Sequence, residues 1–354
     1  MSLSIGIVGL PNAGKSTLFT ALTKKGGLAA NYPFAFTETN IGAVPVPDVR
    51  LDALAEIDHP AKIIPATVEF VDIAGLVAGS SRGEGLGNKF LASIREADAI
   101  CEVVRYFDDP NVLHVAGKID PESDAETIKL ELVFADMATI EKAYARLEKE
   151  AKRDSAHARS FAAAGKVLEG LNEGVRARDL GLDDEEKAAV YDLHLLTMKP
   201  QLYVANIDEG QIGDEFAPIG GMAPIPICAR TEAELSELDP LDAQEYRESL
   251  GLTESSLIRL VHEAYKLLGL QSFFTSGTDE TRAWTIHVGT KAPQAAGVIH
   301  SDFERGFIKA ETASYDDYVS LHGEAGCKAA GKLRLEGKEY VVQDGDVMHF
   351  KFNV

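Results

Sequence analysis

Gly9-Leu10-Pro11-Asn12-Ala13-Gly14-Lys15-Ser16-Thr17, set directly after the apolar run Ile5-Gly6-Ile7-Val8, is a loop built to cradle phosphate. The two glycines add no Cβ where the chain must turn and approach a ligand, so successive N–H groups can point at one anion. A helix starting near Gly14 aims its unpaired amides and positive end at the same oxygens. In this pattern Lys15 reaches the β- and γ-phosphates and the Ser16 hydroxyl completes a magnesium shell. The context is right: a strand-like run precedes the loop, and Ser16–Thr23 reads as an amphipathic helix carrying Leu18, Phe19, Ala21 and Leu22.

With 354 residues and 45% hydrophobic content the chain is long enough for two or three domains with real cores, which excludes a disordered chain. A formal charge of −21 argues against coating nucleic acid by bulk attraction, since phosphate neutralisation needs clustered Lys and Arg, and no DNA partner is expected. Cys101, Cys228 and Cys327 are odd in number and far apart, which supports neither a disulfide framework nor a zinc knuckle. They read as ordinary thiols of a reducing compartment. No basic-then-apolar leader precedes the first strand and no run reaches the eighteen or so apolar residues of a membrane span, so the expectation is a cytoplasmic protein without a membrane partner.

Downstream, Asn31–Asn40 is a Pro- and Asn-punctuated loop leading to the edge-strand pattern Ile41–Val46. In a phosphate-sensing switch such a loop supplies a Thr hydroxyl to magnesium; Thr37 and Thr39 are the candidates, and solvent-exposed loop threonines are the alternative. Thr67–Leu76 reads as a strand ending in Asp-x-x-Gly. Asp72 there can hold magnesium through water, and Gly75 can offer an unhindered N–H to the γ-phosphate. The glycine-dense stretch Val77–Gly87 reads as a second switch. Ala99–Val104 is a further buried strand. His114, in the loop Asp108–Pro121, is a candidate for orienting water, or a structural histidine.

Ser123-x-x-Glu126 reads as a capping box opening a long helix. Leu130, Val133, Met137, Ile140, Tyr144, Leu147 and Ala151 alternate steps of three and four. Phe161, Ala164, Leu168, Leu171 and Val175 repeat that rhythm, which predicts an antiparallel helical hairpin with a coiled-coil seam. Gln201–Ala205 returns to strand character and ends in Asn206-Ile207-Asp208-Glu209. Guanine-specific switches carry Asn-Lys-x-Asp there, with the final carboxylate accepting from guanine N1–H and the exocyclic amine. Here Glu209 is one methylene longer and Ile207 replaces the stacking Lys, so ATP is expected over GTP. Pro224–Ala229 supplies the next strand, with Cys228-Ala229-Arg230 beside the base, and Glu254–Leu268 reads as a closing amphipathic helix. From Thr278 onward the runs Ala283–Val288, Gly306–Glu311, Glu339–Val342 and Val347–Phe352 predict a small separate sheet domain. Its Arg305, Lys309, Lys328, Lys332, Arg334 and Lys338 form a modest basic face that suits RNA, or scattered surface charge.

Taken in order, the cradle, Asn-Tyr-Pro-Phe (31–34), Val-Asp-Ile-Ala-Gly-Leu-Val (71–77), Gly-Glu-Gly-Leu-Gly-Asn (83–88), Asn-Ile-Asp-Glu (206–209), Arg-Ala-Trp-Thr (282–285) and Val-Gln-Asp-Gly-Asp-Val (342–347) closely resemble the YchF family of Obg-like ATPases, end to end. The resemblance implies an α/β fold: a P-loop NTPase domain of the translation-factor class with a mostly parallel sheet (1–122 and 200–272), an inserted α-helical coiled-coil hairpin (123–199), and a C-terminal ubiquitin-like TGS domain (273–354). It implies magnesium-dependent hydrolysis of ATP in preference to GTP and association with the ribosome or its RNA. By the same resemblance Asn12, Ala13, Gly14, Lys15, Ser16 and Thr17 bind phosphates, Ser16 binds magnesium, and Asn206, Ile207 and Glu209 face the base. In potassium-activated relatives the residue matching Asn12 helps hold K+. The chain departs from the family at Phe36, where a metal-binding Thr is usual: either Thr37 takes over by a one-residue shift or the ion keeps a water there. Leu76 stands where many GTPases place a water-orienting Gln, so intrinsic hydrolysis is expected to be slow. The alternatives are a GTP-binding, RNA-associated module of Obg type, and a P-loop kinase, whose acceptor pocket the sequence does not reveal.

Overall fold

Ile5, Ile7 and Val8 are wholly buried, as a strand flanked on both edges and covered on both faces requires. The computed structural model describes residues 3–25, 41–73, 86–114 and 117–353. In chain order its elements are β1 (Ser4–Val8), α1 (Lys15–Lys25), β2 (Ile41–Pro45), α2 (Val49–Asp58), β3 (Ile63–Ile64), β4 (Thr67–Asp72), α3 (Leu86–Glu96), β5 (Ala99–Arg105), α4 (Pro121–Arg153), α5 (Ala158–Asn172), α6 (Asp184–Val190), β6 (Gln201–Asn206), β7 (Ile225–Ile227), α7 (Ala229–Leu235), α8 (Pro240–Ser249) and α9 (Ser256–Leu267). There follow β8 (Leu270–Thr275), β9 (Thr281–His287), α10 (Ala292–Ile299), α11 (Ser301–Arg305), β10 (Phe307–Ser314), α12 (Tyr315–Ser320), α13 (Glu324–Ala329), β11 (Arg334–Glu336) and β12 (Asp346–Phe352). Two compact units result, Met1–Gly42 with Glu69–Leu257, and Ala43–Val68 with Ile258–Val354.

In the first unit the strands stand in the order β4-β1-β5-β6-β7, each neighbouring pair parallel. The expected α/β class with a mostly parallel sheet is borne out. Parallel order brings the carboxyl ends of β1, β4, β5 and β6 to one edge, which is where ligands bind in open sheets of this kind. Val8, Leu10, Ile73, Phe90, Leu91, Ile94, Ile100, Ile128 and Leu132 form one core cluster of the unit.

The 33-residue α4 starts earlier than the Ser123–Glu126 pair suggests. Asp120 is the N-cap, its carboxylate accepting from Ser123 N, and Pro121 fits the first turn because its φ is already helical. From α4, Val133, Ile140 and Leu147 pack against Ala163, Ala164, Val167 and Leu171 of α5, with Tyr144 stacked on Phe161 at 4.7 Å. Burial of each large apolar side chain there contributes about 1.5–3 kcal/mol. Asp136 ties α4 to the segment entering β6: its carboxylate accepts from Leu196 N (2.8 Å), Thr197 N (2.7 Å) and Thr197 Oγ1 (2.6 Å).

The second unit holds strands in the order β11-β10-β12-β8-β9-β3, with β8–β9 and β10–β12 antiparallel and β12–β8 parallel. Its core gathers Phe273, Ile286, Ala295, Ala296, Phe307, Met348 and Phe350. Residues 43–68 are fastened into it by Arg50, which donates to Asp48 (2.8 Å) and Asp344 (2.7 Å), and by Asp58, which accepts from Ser276 Oγ and Tyr318 Oη (2.8 Å). Two expectations need correction here. Glu339–Val342 is no strand and offers only the isolated bridge Lys291–Val341. β8 and β11 carried no separate signal, and the small helices α10 to α13 interrupt what reads as a succession of strands. A run of three or four alternating residues is too short to tell an extended loop from a ladder.

The one acidic side chain facing α4 from within β5 is Glu102, 1% exposed, between Ile100 and Val104. Gln201 Nε2 donates to its Oε2 at 2.6 Å, and its Oε1 has no partner among the described residues. Burial pushes its pKa up to about 8, with Asp124 adding to the rise and Gln201, Arg176 and Arg178 opposing it. A carboxyl with a raised folded-state pKa stabilises the fold below its unfolded value, and that contribution is lost as pH rises through about 8. Glu102→Gln, which keeps the carbonyl acceptor, is therefore expected to melt at least about 3 °C above wild type at pH 9, with the gap closing by pH 5.5. Melting curves that stay parallel across that range would refute the assignment.

Candidate functional site

The cradle leaves β1 over the end of β5: a Cβ on Gly9 would lie 2.5 Å from Val103 O, so only glycine permits that approach. Asn12 takes a left-handed backbone (φ 64), which Asn tolerates, and its Nδ2 donates to Leu113 O at 3.0 Å. Gly14 has φ 96, and a Cβ there would sit 2.0 Å from Asn206 Nδ2. Asn206, the last residue of β6 and 5% exposed, inserts its amide beneath the loop. It donates to Ala13 O (2.9 Å) and accepts from Ala229 N (3.1 Å), the first residue of α7. Helix α1 then starts with Leu18 N donating to Gly14 O at 3.0 Å.

Lys15 is 7% exposed, and its Nζ donates to Leu10 O at 2.9 Å. Burial lowers its pKa, while the nearby Asp72 carboxylate works the other way. Ser16 Oγ donates to Asp72 Oδ2 at 2.9 Å, and Asp72 Oδ1 is buried with no partner among the described residues. Asp72 closes β4 in register with Ile7 of β1, which is how two residues 56 positions apart meet. An orphaned carboxylate oxygen beside a hydroxyl is the donor set of a hard divalent cation, so the residues present fit one. Thr37 and Gly75, expected as metal ligand and γ-phosphate donor, lie outside the described residues, as do Phe36, Thr39, Leu76 and most of the second switch.

Next to the cradle a cavity of about 690 Å³ is lined by Gly14, Thr17, Phe107, Asn206, Glu209 and Ala229, among others. Ile207 also borders it, yet its side chain is 4% exposed and packs with Ala205 and Cys228. Asp208 and Asp108 also line the cavity, and Asp208 Oδ2 accepts from Asp108 N at 2.8 Å. Glu209 is exposed and accepts from Tyr246 and Thr231. His114 is not among the cavity residues. Its Nε2 lies 2.9 Å from Asp124 Oδ2 in the first turn of α4, both side chains 7% exposed, which fits the structural of its two readings. Phe107, Thr231 and Tyr246 went unread in the sequence. Phe107 had a signal, since it follows directly on the carboxyl end of a parallel strand.

Two family models match the chain: one described as a 50S ribosome-binding GTPase over residues 4–137, and the YchF-GTPase_C model, described as a protein of unknown function, over residues 270–353. Curated relatives named ribosome-binding ATPase YchF are 53% identical in Haemophilus influenzae, 51% in Bacillus subtilis and 51% in Escherichia coli O157:H7, each over 100% of this chain and 100% of the relative. The solved structure of the Schizosaccharomyces pombe YchF GTPase matches with a TM-score of 0.88 at 39% identity, covering 99% of this chain and 98% of that one.

Gly14→Ala combines an unfavourable φ with a collision against a buried amide. Titration calorimetry on the folded variant is expected to show at least tenfold weaker binding of nucleoside triphosphate, about 1.4 kcal/mol or more. Unchanged affinity would mean that the loop does not hold phosphate.

Proposed function

The chain belongs to the YchF family, and on that premise we propose that it is a ribosome-binding ATPase of the cytoplasm whose cradle takes magnesium-bound ATP in preference to GTP. The observation that carries the reading is the Asn206 amide, which joins the phosphate loop to the rim of the cavity through Ala13 and Ala229. One residue thereby sets the distance between the place for a triphosphate and the place for a base.

In this reading the loop amides of Asn12 through Thr17 receive the phosphates at the positive end of α1. Lys15, already desolvated and held by the Leu10 carbonyl, is positioned to move onto the β- and γ-oxygens without a further burial cost. Ser16 and Asp72 would hold Mg2+, with Thr37 as the switch ligand; the bound ion supplies charge neutralisation on the β- and γ-oxygens. Gly75 offers its N–H to the terminal phosphate. Asn12 is the residue that would help hold K+. His114 stands one residue beyond Leu113, whose carbonyl fixes the Asn12 side chain, so any role in hydrolysis runs through that contact.

Base choice follows from Asn206, Ile207 and Glu209. The Ile207 side chain is committed to packing and supplies no alkyl-ammonium stack, and Glu209 stands in for the shorter carboxylate that reads guanine. The helical pair within 123–199 is the inserted arm, and 273–354 the TGS domain. No helix among the described residues is long and apolar enough to cross a membrane.

Phosphate release with ATP and no acceptor present is expected to be slow, and Lys15→Ala to lower it by about 100-fold, in keeping with the loss of one preorganised charge in the transition state. The same variant is expected to lose nucleotide-dependent ribosome association in sedimentation. Release that survives Lys15→Ala, or that requires an added acceptor, would overturn the ATPase reading.

A further inference from the structure

Glu209 is the residue on which base choice turns, and its carboxylate is already half engaged. It opens a 3₁₀ turn, Glu209–Gln211, anchored by reciprocal hydrogen bonds between Asp208 and Gln211. Its Oε2 accepts from Tyr246 Oη of α8 at 3.0 Å and from Thr231 Oγ1 of α7 at 3.3 Å. Its Oε1 receives no hydrogen bond from the described residues. The direction of the Tyr246 bond is fixed by charge: a carboxylate only accepts, and the hydrogen bond to Glu209 is the largest cause of the raised pKa of the phenol, which keeps it a donor.

The two purines differ in what they ask of such a group. Guanine presents N1–H and the exocyclic amine side by side, a pair of donors that needs both oxygens of one carboxylate. Adenine presents one amine beside the N1 acceptor and needs a single oxygen. A carboxylate with one oxygen occupied by two hydroxyls satisfies the second and leaves one donor of the first without a protein acceptor.

We propose that Tyr246, assisted by Thr231, is a positioning residue for base choice: the two hydroxyls occupy Glu209 Oε2, leave one acceptor oxygen to the base, and so turn the site toward ATP and away from GTP. The inference rests on the ATP preference proposed above. It places the discrimination in the hydrogen bonds from Tyr246, which does not line the cavity, and from Thr231, which does, as well as in the extra methylene of Glu209. Thr231 Oγ1 also lies 3.1 Å from Cys228 Sγ, next to the cavity wall, so Tyr246 is the cleaner of the two to remove.

The test is calorimetric titration of the full chain with ATP and with GTP, magnesium present, read as the ratio of the two dissociation constants. Wild type is expected to favour ATP. Tyr246→Phe, alone and with Thr231→Val, is expected to shift the ratio toward GTP by about tenfold, the worth of one charge-assisted hydrogen bond. Adding Glu209→Gln to Tyr246→Phe is expected to cancel the gain, because the carboxamide offers guanine one acceptor and one opposing donor. A ratio that stays within about twofold of wild type in Tyr246→Phe overturns the inference while leaving the ATP preference standing. So does a gain for GTP that persists in the Glu209→Gln background, since the effect would not then pass through Glu209. A wild-type ratio near one overturns the base reading itself, and this inference with it.

Discussion

One buried carboxamide holds the site together. Asn206 donates to the phosphate loop at Ala13 and accepts from the start of α7 at Ala229. Leaving either group buried and unpaired would cost about 1–3 kcal/mol. Its place at the end of β6 is set by the parallel register with β5, where Arg105 stands opposite Asn206. The glycine at position 14 is required because the amide fills the space a Cβ would need. Loop conformation, cavity and helix α7 therefore stand or fall with one side chain.

A second layer of polar burial supports that arrangement from behind the sheet. Asp136 fastens α4 to the chain entering β6, and Glu102 with Gln201 sits where β5 and β6 meet α4. These groups are costly to desolvate, and the hydrogen bonds they make fix the position of β6 along its neighbours more narrowly than apolar packing does. The end of β6 carries Asn206 and, three residues on, Glu209. Support for the helical pair and one wall of the cavity are thus properties of the same strand.

The chemistry at the two ends of the cavity differs in kind. At the phosphate end, Lys15 is buried, and the exposed Ser16 hydroxyl is already hydrogen-bonded to the half-buried Asp72 carboxylate. At the base end, Glu209 is exposed and held by hydroxyls from two helices. The Lys15 end is set within the loop itself, whereas the placing of the Glu209 carboxylate depends on where α7 and α8 put two hydroxyl oxygens.

The sequence by itself determined the cradle, the Asp72 partner, the α/β order and the helical seam, because each is a local pattern whose spacing matches a fixed backbone geometry. The motif order also marked the family. Tertiary structure decided what spacing does not encode: that Ile207 packs inward, that His114 meets Asp124, that Phe107 borders the cavity, and that Tyr246 and Thr231 occupy one oxygen of Glu209. It also decided the Asp120 cap of α4 and the loss of a strand at Glu339–Val342, where short patterns compete with neighbours distant in sequence. The physical reason is reach: a phosphate loop is specified within nine residues, while a hydrogen bond between positions 209 and 246 exists only once the sheet and the helices beside it are in place.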